Sequence, residues 1–229
     1  MHNKRKFSKE LAFGIALLMN SFAVSLLVKS DFGVATLSSL PLVLHEAIQH
    51  ISFGWMNFFV QTALLALLIF ITRQPKPTYL VSFLVSFVFG MMVDMFGAQM
   101  DLWSSMWTLR IFYFLVGWIM VSCGAALFIL SAMPLMPFDL VVRDLSDFTG
   151  YRVRTVRTVT DVSFVSTALL ISLFRLHRIV GVGVGTIFMM FLNGYGIHFF
   201  MQLWCKYYDF VTVTSFGRFL EKIGTIQKK

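Results

Sequence analysis

Hydrophobic residues along this 229-residue chain form six long runs, separated by shorter stretches that contain polar residues, glycine and proline. About 20 apolar residues are needed to cross the hydrocarbon core of a bilayer, and each run is close to that length. The pattern therefore predicts an all-α polytopic membrane protein with six transmembrane helices. The predicted spans are residues 7–28, 55–72, 79–96, 111–132, 156–174 and 180–204.

The breaks in this pattern recur at an offset of about 101 to 104 residues. The polar break after the first span, at residues 29–36, matches the break after the fourth span, and Gly90 matches Gly194. The pattern predicts two three-helix membrane repeats, residues 1–106 and 107–206, and a cytoplasmic basic amphipathic tail, residues 207–229. Because three crossings turn the second repeat upside down in the bilayer, we expect inverted repeats, a plan common among transporters.

Each repeat also contains a short amphipathic segment between its first and second spans. Apolar residues return at helical spacing within residues 37–48 and 138–148. Pro134 and Pro137 precede the second segment and interrupt backbone hydrogen bonding, because proline has no amide hydrogen. Irregular backbone at membrane depth is stable only where protein or a water-filled cavity satisfies it. The pattern therefore predicts two short broken or re-entrant helices.

Positive charge is distributed unevenly across the predicted topology. The chain has 19 Lys and Arg against 11 Asp and Glu, and most of the cations lie in segments that share one side of the membrane. The positive-inside rule therefore predicts that both termini are cytoplasmic, and we expect no nucleic-acid partner. Arg175 and Arg178 lie on the opposite side, so an arrangement of five spans, with residues 174–185 inside, stays open.

Composition narrows the function classes. Only 13% of residues are charged, against about 25% in soluble domains, and the six spans leave no room for a soluble catalytic domain. Cys123 and Cys205 show no metal-ligand spacing, and no nucleophile lies in a pattern with a general base. We therefore predict no enzymatic activity, no cofactor and no metal site.

Two charged residues within the fifth predicted span are candidate substrate-binding residues. Ionisable side chains inside a membrane are costly and mark functional positions by default. Asp161 lies about one turn inside the span, and Arg157 precedes it by four residues on the same helical face. An ion pair confined to this helix and a role in a solute site are both consistent with the spacing.

The chain breaks supply three further candidates. Asp139 and Arg143 repeat the four-residue spacing on the second short helix, where the free amides of a broken helix attract anions. Asp139 is either an N-terminal cap or a site residue, and Arg143 has the planar fork that suits carboxylate or phosphate. Asp31, at the first break, either caps the first short helix or pairs with Lys29.

The last span contributes two more candidate substrate-binding residues. Asn193 is either a polar ligand or a contact between helices. His198 corresponds to Asp94 of the first repeat. Because histidine as a residue type can change its charge near neutral pH, His198 is either a proton relay or a buried histidine satisfied by a carbonyl.

Short motifs at the breaks are similar to those of a known family. They are Lys-Ser-Asp-Phe-Gly-Val at residues 29–34, Met-Pro-Phe-Asp-Leu at 136–140, Arg-Asp-Leu-Ser at 143–146 and Gly-Val-Gly-Thr at 183–186. The chain resembles the YczE/YyaS/YitT group of bacterial integral membrane proteins, most closely its YczE-like branch. The resemblance implies a multi-pass protein of the bacterial cell (cytoplasmic) membrane, and it leaves the substrate open.

Three functions fit these patterns. The first is a transporter of a small solute or ion, with its site at the broken helices between the two repeats. The second is a non-transporting scaffold or regulatory factor in the membrane, and the third is the substrate-capturing subunit of a larger importer. The expected partners are the lipid bilayer, an unidentified small molecule or ion, and a second copy of the chain.

Overall fold

The computed structural model describes residues 5–133, 136–214 and 217–218, which form eight α-helices and two short strands. A five-residue π-helical turn, Ser172–Leu176, continues the seventh helix. In chain order the elements are β1 Arg5–Ser8, α1 Lys9–Ser30, α2 Thr36–Ile48, α3 Phe53–Thr72, α4 Pro77–Asp101, α5 Trp107–Ser131, α6 Pro137–Thr149, α7 Val153–Ile171, α8 Val184–Tyr207 and β2 Tyr208–Val211.

Six helices within the described part of the chain are long and apolar enough to cross a membrane. This number agrees with the six-span prediction and not with the five-span alternative. The two predicted short helices are confirmed as α2 and α6, which lie between the first and second spans of each half. Pro134, one of the two prolines expected to break the chain, lies outside the described residues.

The order of helices is long, short, long, long in both halves of the chain. Both short helices have 13 residues, and their first residues, Thr36 and Pro137, are 101 positions apart. The residues just before them adopt nearly the same backbone conformation, with φ −56° and ψ 148° at Ala35, and φ −58° and ψ 151° at Met136. The breaks therefore recur where the sequence predicted, and the inversion of one half relative to the other stays a prediction.

The centre of the bundle is the contact between α1 and α5, the first spans of the two halves. Small residues let the two helices approach closely. A Cβ on Gly124 would lie 2.6 Å from the side-chain nitrogen of Asn20, and one on Gly117 would lie 3.0 Å from Leu27. The other spans pack around this pair, with α4 against α1 and α8 against α5.

The short helices connect the two halves. Each packs against the second span of the other half, so that α2 contacts α7 and α6 contacts α3. Each also contacts the second span of its own half. The four helices α2, α3, α6 and α7 therefore form a ring in which short and long helices alternate.

The last two spans of each half differ in how they pack. The α3 and α4 helices meet along Gly54 and Gly90, where a Cβ on Gly54 would overlap the Gly90 carbonyl oxygen. The α7 and α8 helices, all of whose residues the structure describes, pack little against each other. A Cβ on Gly194, the sequence counterpart of Gly90, would have no described atom within 4 Å.

The chain ends add one short pair of strands to an otherwise all-α fold. Strand β1, before α1, pairs in parallel with β2, after α8, and the Phe7 ring packs on the rings of Trp204, Tyr208 and Phe210. The start of the tail that was predicted to be amphipathic is therefore a strand, and the rest of that tail lies largely outside the described residues. The pairing places both ends of the spanning region on the same side of the bundle.

Candidate functional site

Four polar side chains from α2, α6 and α7 meet where the two short helices begin. The Arg157 Nη1 atom lies 3.0 Å from Oδ1 of Asp139, and its Nε atom lies 4.0 Å from Oδ2 of Asp161. On the other side of the cluster, the Thr36 hydroxyl donates to Oδ1 of Asp161 at 2.8 Å. We call Thr36, Asp139, Arg157 and Asp161 the Arg157 network.

The local sequence explains why these groups converge. Arg157 and Asp161 are one turn apart on α7, so they share a helical face. Thr36 is the first residue of α2, and Asp139 lies in the first turn of α6. Neither short helix has a side-chain cap at its start, so the partial positive charge of its first amides is left to other partners.

The Arg157 network is partly buried and carries an excess of negative charge. The side chain of Asp161 is 19% exposed, against 39% for Asp139 and 46% for Arg157. The Arg157 guanidinium also lies over the Phe138 ring, 5.9 Å from its centroid. Two carboxylates and one guanidinium give a formal side-chain charge of −1 when all three are ionised, and the uncapped starts of α2 and α6 offset part of it. The remaining negative charge favours a cationic or proton-donating ligand.

An apolar cluster lies within the ring of helices beside this network. All four helices of the ring, α2, α3, α6 and α7, contribute side chains to it. Its members are Phe138, Val142, Val156 and Phe164, with Leu37, Leu40, Val60, Leu64 and Leu145 packed against them. The charged groups are thus bordered by hydrocarbon, which strengthens electrostatic interactions relative to water.

A buried amide pair on α3 was not among the residues singled out from the sequence. Gln61 donates through Nε2 to Oδ1 of Asn57 at 2.6 Å, and the two residues are 8% and 4% exposed. The Gln61 carbonyl oxygen has no hydrogen-bond partner among the described residues. The sequence signal was available, because two amides four residues apart inside an apolar span form one polar spot on a helix face.

Arg143 is positioned differently from the other charged candidates. Its Nε atom lies 3.2 Å from Oδ1 of the neighbouring Asp144, whose other oxygen accepts from Lys76 and from Tyr79. Asp144 lies in the charged part of the short helix, yet its side chain is 1% exposed. The connection between α3 and α4 covers this part of α6 and supplies the ion-pair partner Lys76.

Both capping interpretations are also wrong. Met136 is the N-cap of α6, and Asp139 pairs with Arg157 instead. Asp31 ends α1 in a left-handed conformation, five residues before the start of α2, and its exposed carboxylate pairs with Arg110 at 3.0 Å and not with Lys29. The start of α5 is close to the end of α1, which explains this choice of partner.

The candidates of the last span lie outside the Arg157 network. Asn193 accepts a hydrogen bond from the Ser122 hydroxyl at 3.0 Å, so it joins α8 to α5 and fits the interpretation as a contact between helices. His198 is exposed on α8, with its Nε2 atom 3.0 Å from Nε2 of Gln202. It is therefore not the buried histidine that one interpretation required.

Asp94, the counterpart of His198, has a structural role. It accepts from the Ser52 hydroxyl and from the backbone amide of Gly54 at 2.7 Å. These bonds place a carboxylate against the first turn of α3, where it balances the partial positive charge of the helix start. The contact reinforces the close packing of α3 and α4.

Comparison with known proteins identifies relatives over most of the chain. The sequence model of one family, described as "Family of unknown function (DUF6198)", matches residues 7–202. The uncharacterized protein YyaS of Bacillus subtilis (strain 168) is 25% identical over 203 residues, which cover 85% of this chain and 93% of that protein. No solved structure matches. These findings confirm the resemblance drawn from the motifs at the chain breaks.

Proposed function

The chain belongs to the family of unknown function DUF6198, and from that premise we propose that it transports a small solute or ion across the bacterial cytoplasmic membrane. The observation that carries the proposal is the Arg157 network. It places ionisable groups inside a membrane span, at the start of two short helices that join the halves of the molecule. Charged groups in such positions mark solute and ion pathways.

The repeated helix order supports the same function. Three crossings per half would invert the second half, and transporters with inverted repeats bind their substrates at broken helices near the bilayer midplane. Each short helix is tied to the other half by an ion pair, Glu46 of α2 to Arg178 and Asp144 of α6 to Lys76. In the proposed orientation, with both termini cytoplasmic, these pairs lie on the outer and inner sides of the network. They are suited to close the site from one side at a time.

A first experiment tests the assignment of the Arg157 network. The purified protein would be screened for thermal stabilisation by a library of metabolites and ions at two pH values, because a ligand at 100 times its Kd stabilises by about 2.7 kcal/mol. We expect a specific ligand whose effect is lost in Asp161→Asn and whose flux into proteoliposomes is lost with it. Asp147→Asn is the matched control, because it makes the same change at an exposed acid of α6.

Unchanged binding and flux in a folded Asp161→Asn protein would reject the transport site. A library that yields no ligand, with the protein folded throughout, would instead favour a non-transporting factor or a subunit that captures substrate only within a larger importer. The exposed polar side chains of α8 favour a membrane partner of some kind, since His198 and Gln202 lie on a face that no described residue covers.

We propose that this partner is a second copy of the chain. Two copies with the same orientation in the membrane pair about an axis along its normal. Each residue then lies at the same depth as its counterpart, and residues close to the axis meet their counterparts. Gln202 both donates and accepts hydrogen bonds, so it can pair with itself across such an axis. Gly194, one turn before His198, leaves space for the two α8 helices to approach.

A further inference from the structure

The buried amide pair of α3 corresponds to the charged pair of α7, position for position. Counted from the first residue of each helix, Asn57 and Gln61 are the fifth and ninth residues of α3, and Arg157 and Asp161 are the fifth and ninth of α7. In both helices the two side chains contact each other across one turn. The α3 helix thus carries a neutral version of the pair on which the Arg157 network is built.

This correspondence explains why the side-chain oxygen of Gln61 has no hydrogen-bond donor among the described residues. On α7, Asp161 accepts from Thr36, the first residue of the short helix α2 that packs against it. The short helix of the other half that packs against α3 is α6, and its first residue is Pro137, which has no hydroxyl to donate. Gln61 therefore keeps a buried acceptor without a donor, an arrangement that is costly unless a ligand or water completes it.

The part of α3 that carries Gln61 lies across the ring of helices from α7. The α3 and α7 helices are on opposite sides of α2 and α6, and Val60, adjacent to Gln61, packs into the same apolar cluster as Val156 and Phe164 of α7. A solute held among these helices would have a network with excess negative charge on one side and a hydrogen-bond acceptor on the other.

We propose that Gln61, oriented by Asn57, is a solute-binding residue that α3 contributes to the site, and that the solute presents N–H donors, as a primary ammonium group does. The inference rests on the proposed transport site, and it adds both a residue and a class of substrate. An ammonium group satisfies the two demands of the site, since it compensates the charge of the network and donates to the Gln61 oxygen.

Methylammonium and tetramethylammonium chlorides are the probes, because both are cations and only the first has N–H donors. Binding to the purified full-length chain would be followed by titration calorimetry and thermal unfolding. We expect methylammonium to bind and tetramethylammonium to fail. Gln61→Leu should weaken methylammonium binding about tenfold, the loss typical of one hydrogen bond to a charged group.

Two further variants separate a binding role from a structural one. Gln61→Glu places a carboxylate beside the ammonium group and should tighten methylammonium binding, a gain that misfolding cannot produce. Thr62→Val removes another buried hydroxyl without a described partner, one residue along α3, and should leave binding unchanged. Equal losses in Thr62→Val and Gln61→Leu, or no gain in Gln61→Glu, would overturn the assignment of Gln61.

The outcomes for the residue and for the function are distinct. If Asp161→Asn abolishes methylammonium binding and Gln61→Leu does not change it, the transport site stands and Gln61 is not part of it. If neither substitution changes the binding, the proposed site itself is rejected. Equal binding of the two probes would contradict a substrate recognised through N–H donors.

Discussion

The α3–α4 pair and the α7–α8 pair occupy the same place in the two halves of the chain, yet only α3 and α4 pack closely against each other. Gly54 and Gly90 bring α3 and α4 into backbone contact, and Asp94 holds the start of α3. The α7 and α8 helices diverge, and Gly194 stands open. Packing therefore completes one half within the chain and leaves the other half with an uncovered face.

The exposed faces of the two pairs differ in chemistry as well. Along the central part of α4, between residues 80 and 95, the exposed side chains are apolar, as contact with lipid requires. They are Leu80, Leu84, Val88, Met91 and Met95. The face of α8 that corresponds to the α3-facing side of α4 is exposed, and it contains Gly194, His198 and Gln202, which are poor partners for hydrocarbon. The surface that packs within the chain in one half is thus left open in the other, where it is suited to protein contact.

The largest expected effect comes from adding one methyl group at the closed contact. Gly54→Ala forces a Cβ into the Gly90 carbonyl, a backbone atom that can yield only by separating α3 from α4, and should cost about 3 kcal/mol. Gly194→Ala has room for the methyl group and gains helix propensity, so it should stabilise the monomer by about 0.5 to 1 kcal/mol. Thermal unfolding of both variants in detergent measures the difference.

The decisive result is that the two substitutions change the free energy of unfolding in opposite directions. Similar losses in both would mean that α8 is packed at Gly194 in the isolated chain, and the contrast between the two halves would be wrong. A neutral Gly54→Ala would mean that α3 and α4 separate without cost.

A smaller change in the free energy of unfolding is expected when the ion pairs that link each short helix to the other half of the chain are removed. Asp144 is buried and has Lys76, Arg143 and Tyr79 around it, whereas Glu46 has one exposed partner, Arg178. Asp144→Asn removes a buried carboxylate from its ion pairs with Lys76 and Arg143 and should cost about 2 kcal/mol of unfolding free energy. Glu46→Gln should cost less than about 1 kcal/mol, as for other exposed pairs.

High salt provides the control for this second comparison. Exposed charges are screened by salt and buried ones much less, so added sodium chloride should remove the effect of Glu46→Gln and preserve that of Asp144→Asn. Equal costs for the two substitutions would show that the two ends of the molecule are held with similar strength.

Much of the architecture could be predicted because hydropathy and chain breakers are local signals. Six spans, two short helices and the spacing of the breaks all follow from apolar periodicity and from residues such as Pro137. The convergence of Asp139, Arg157 and Asp161 was also within reach, since all three are charged residues inside or beside predicted spans.

The rest depends on contacts between distant segments. The burial of Asp144 requires Lys76 from another half of the chain, and the pairing of Asp31 with Arg110 requires the packing of α1 on α5. The two strands at the chain ends have four residues each, which is too few for an alternating pattern to reveal them in the sequence. The Asn57–Gln61 pair is visible in the sequence as two amides four residues apart, but its correspondence with Arg157 and Asp161 needs the helix starts of both α3 and α7.

The open face of α8 leads to the last prediction, which has no effect on monomer stability. Cys205 is exposed on α8 seven residues after His198, so it lies on the same face two turns further along. If two copies pair through this face, the two Cys205 residues come together at the same depth, within the short range that a disulfide requires. Mild oxidation of native membranes should therefore give a covalent dimer on a denaturing gel.

The two cysteines of the chain supply matched controls for this experiment. Cys205→Ser should abolish the dimer and Cys123→Ser should preserve it, because Cys123 lies on α5 and is partly covered. Replacing the polar pair, His198→Leu with Gln202→Leu, should reduce cross-linking by turning the face into one that lipid can cover. A dimer that survives both polar substitutions would show that α8 pairs through its shape alone, and a monomer in the unsubstituted protein would mean that the exposed face of α8 serves a different partner.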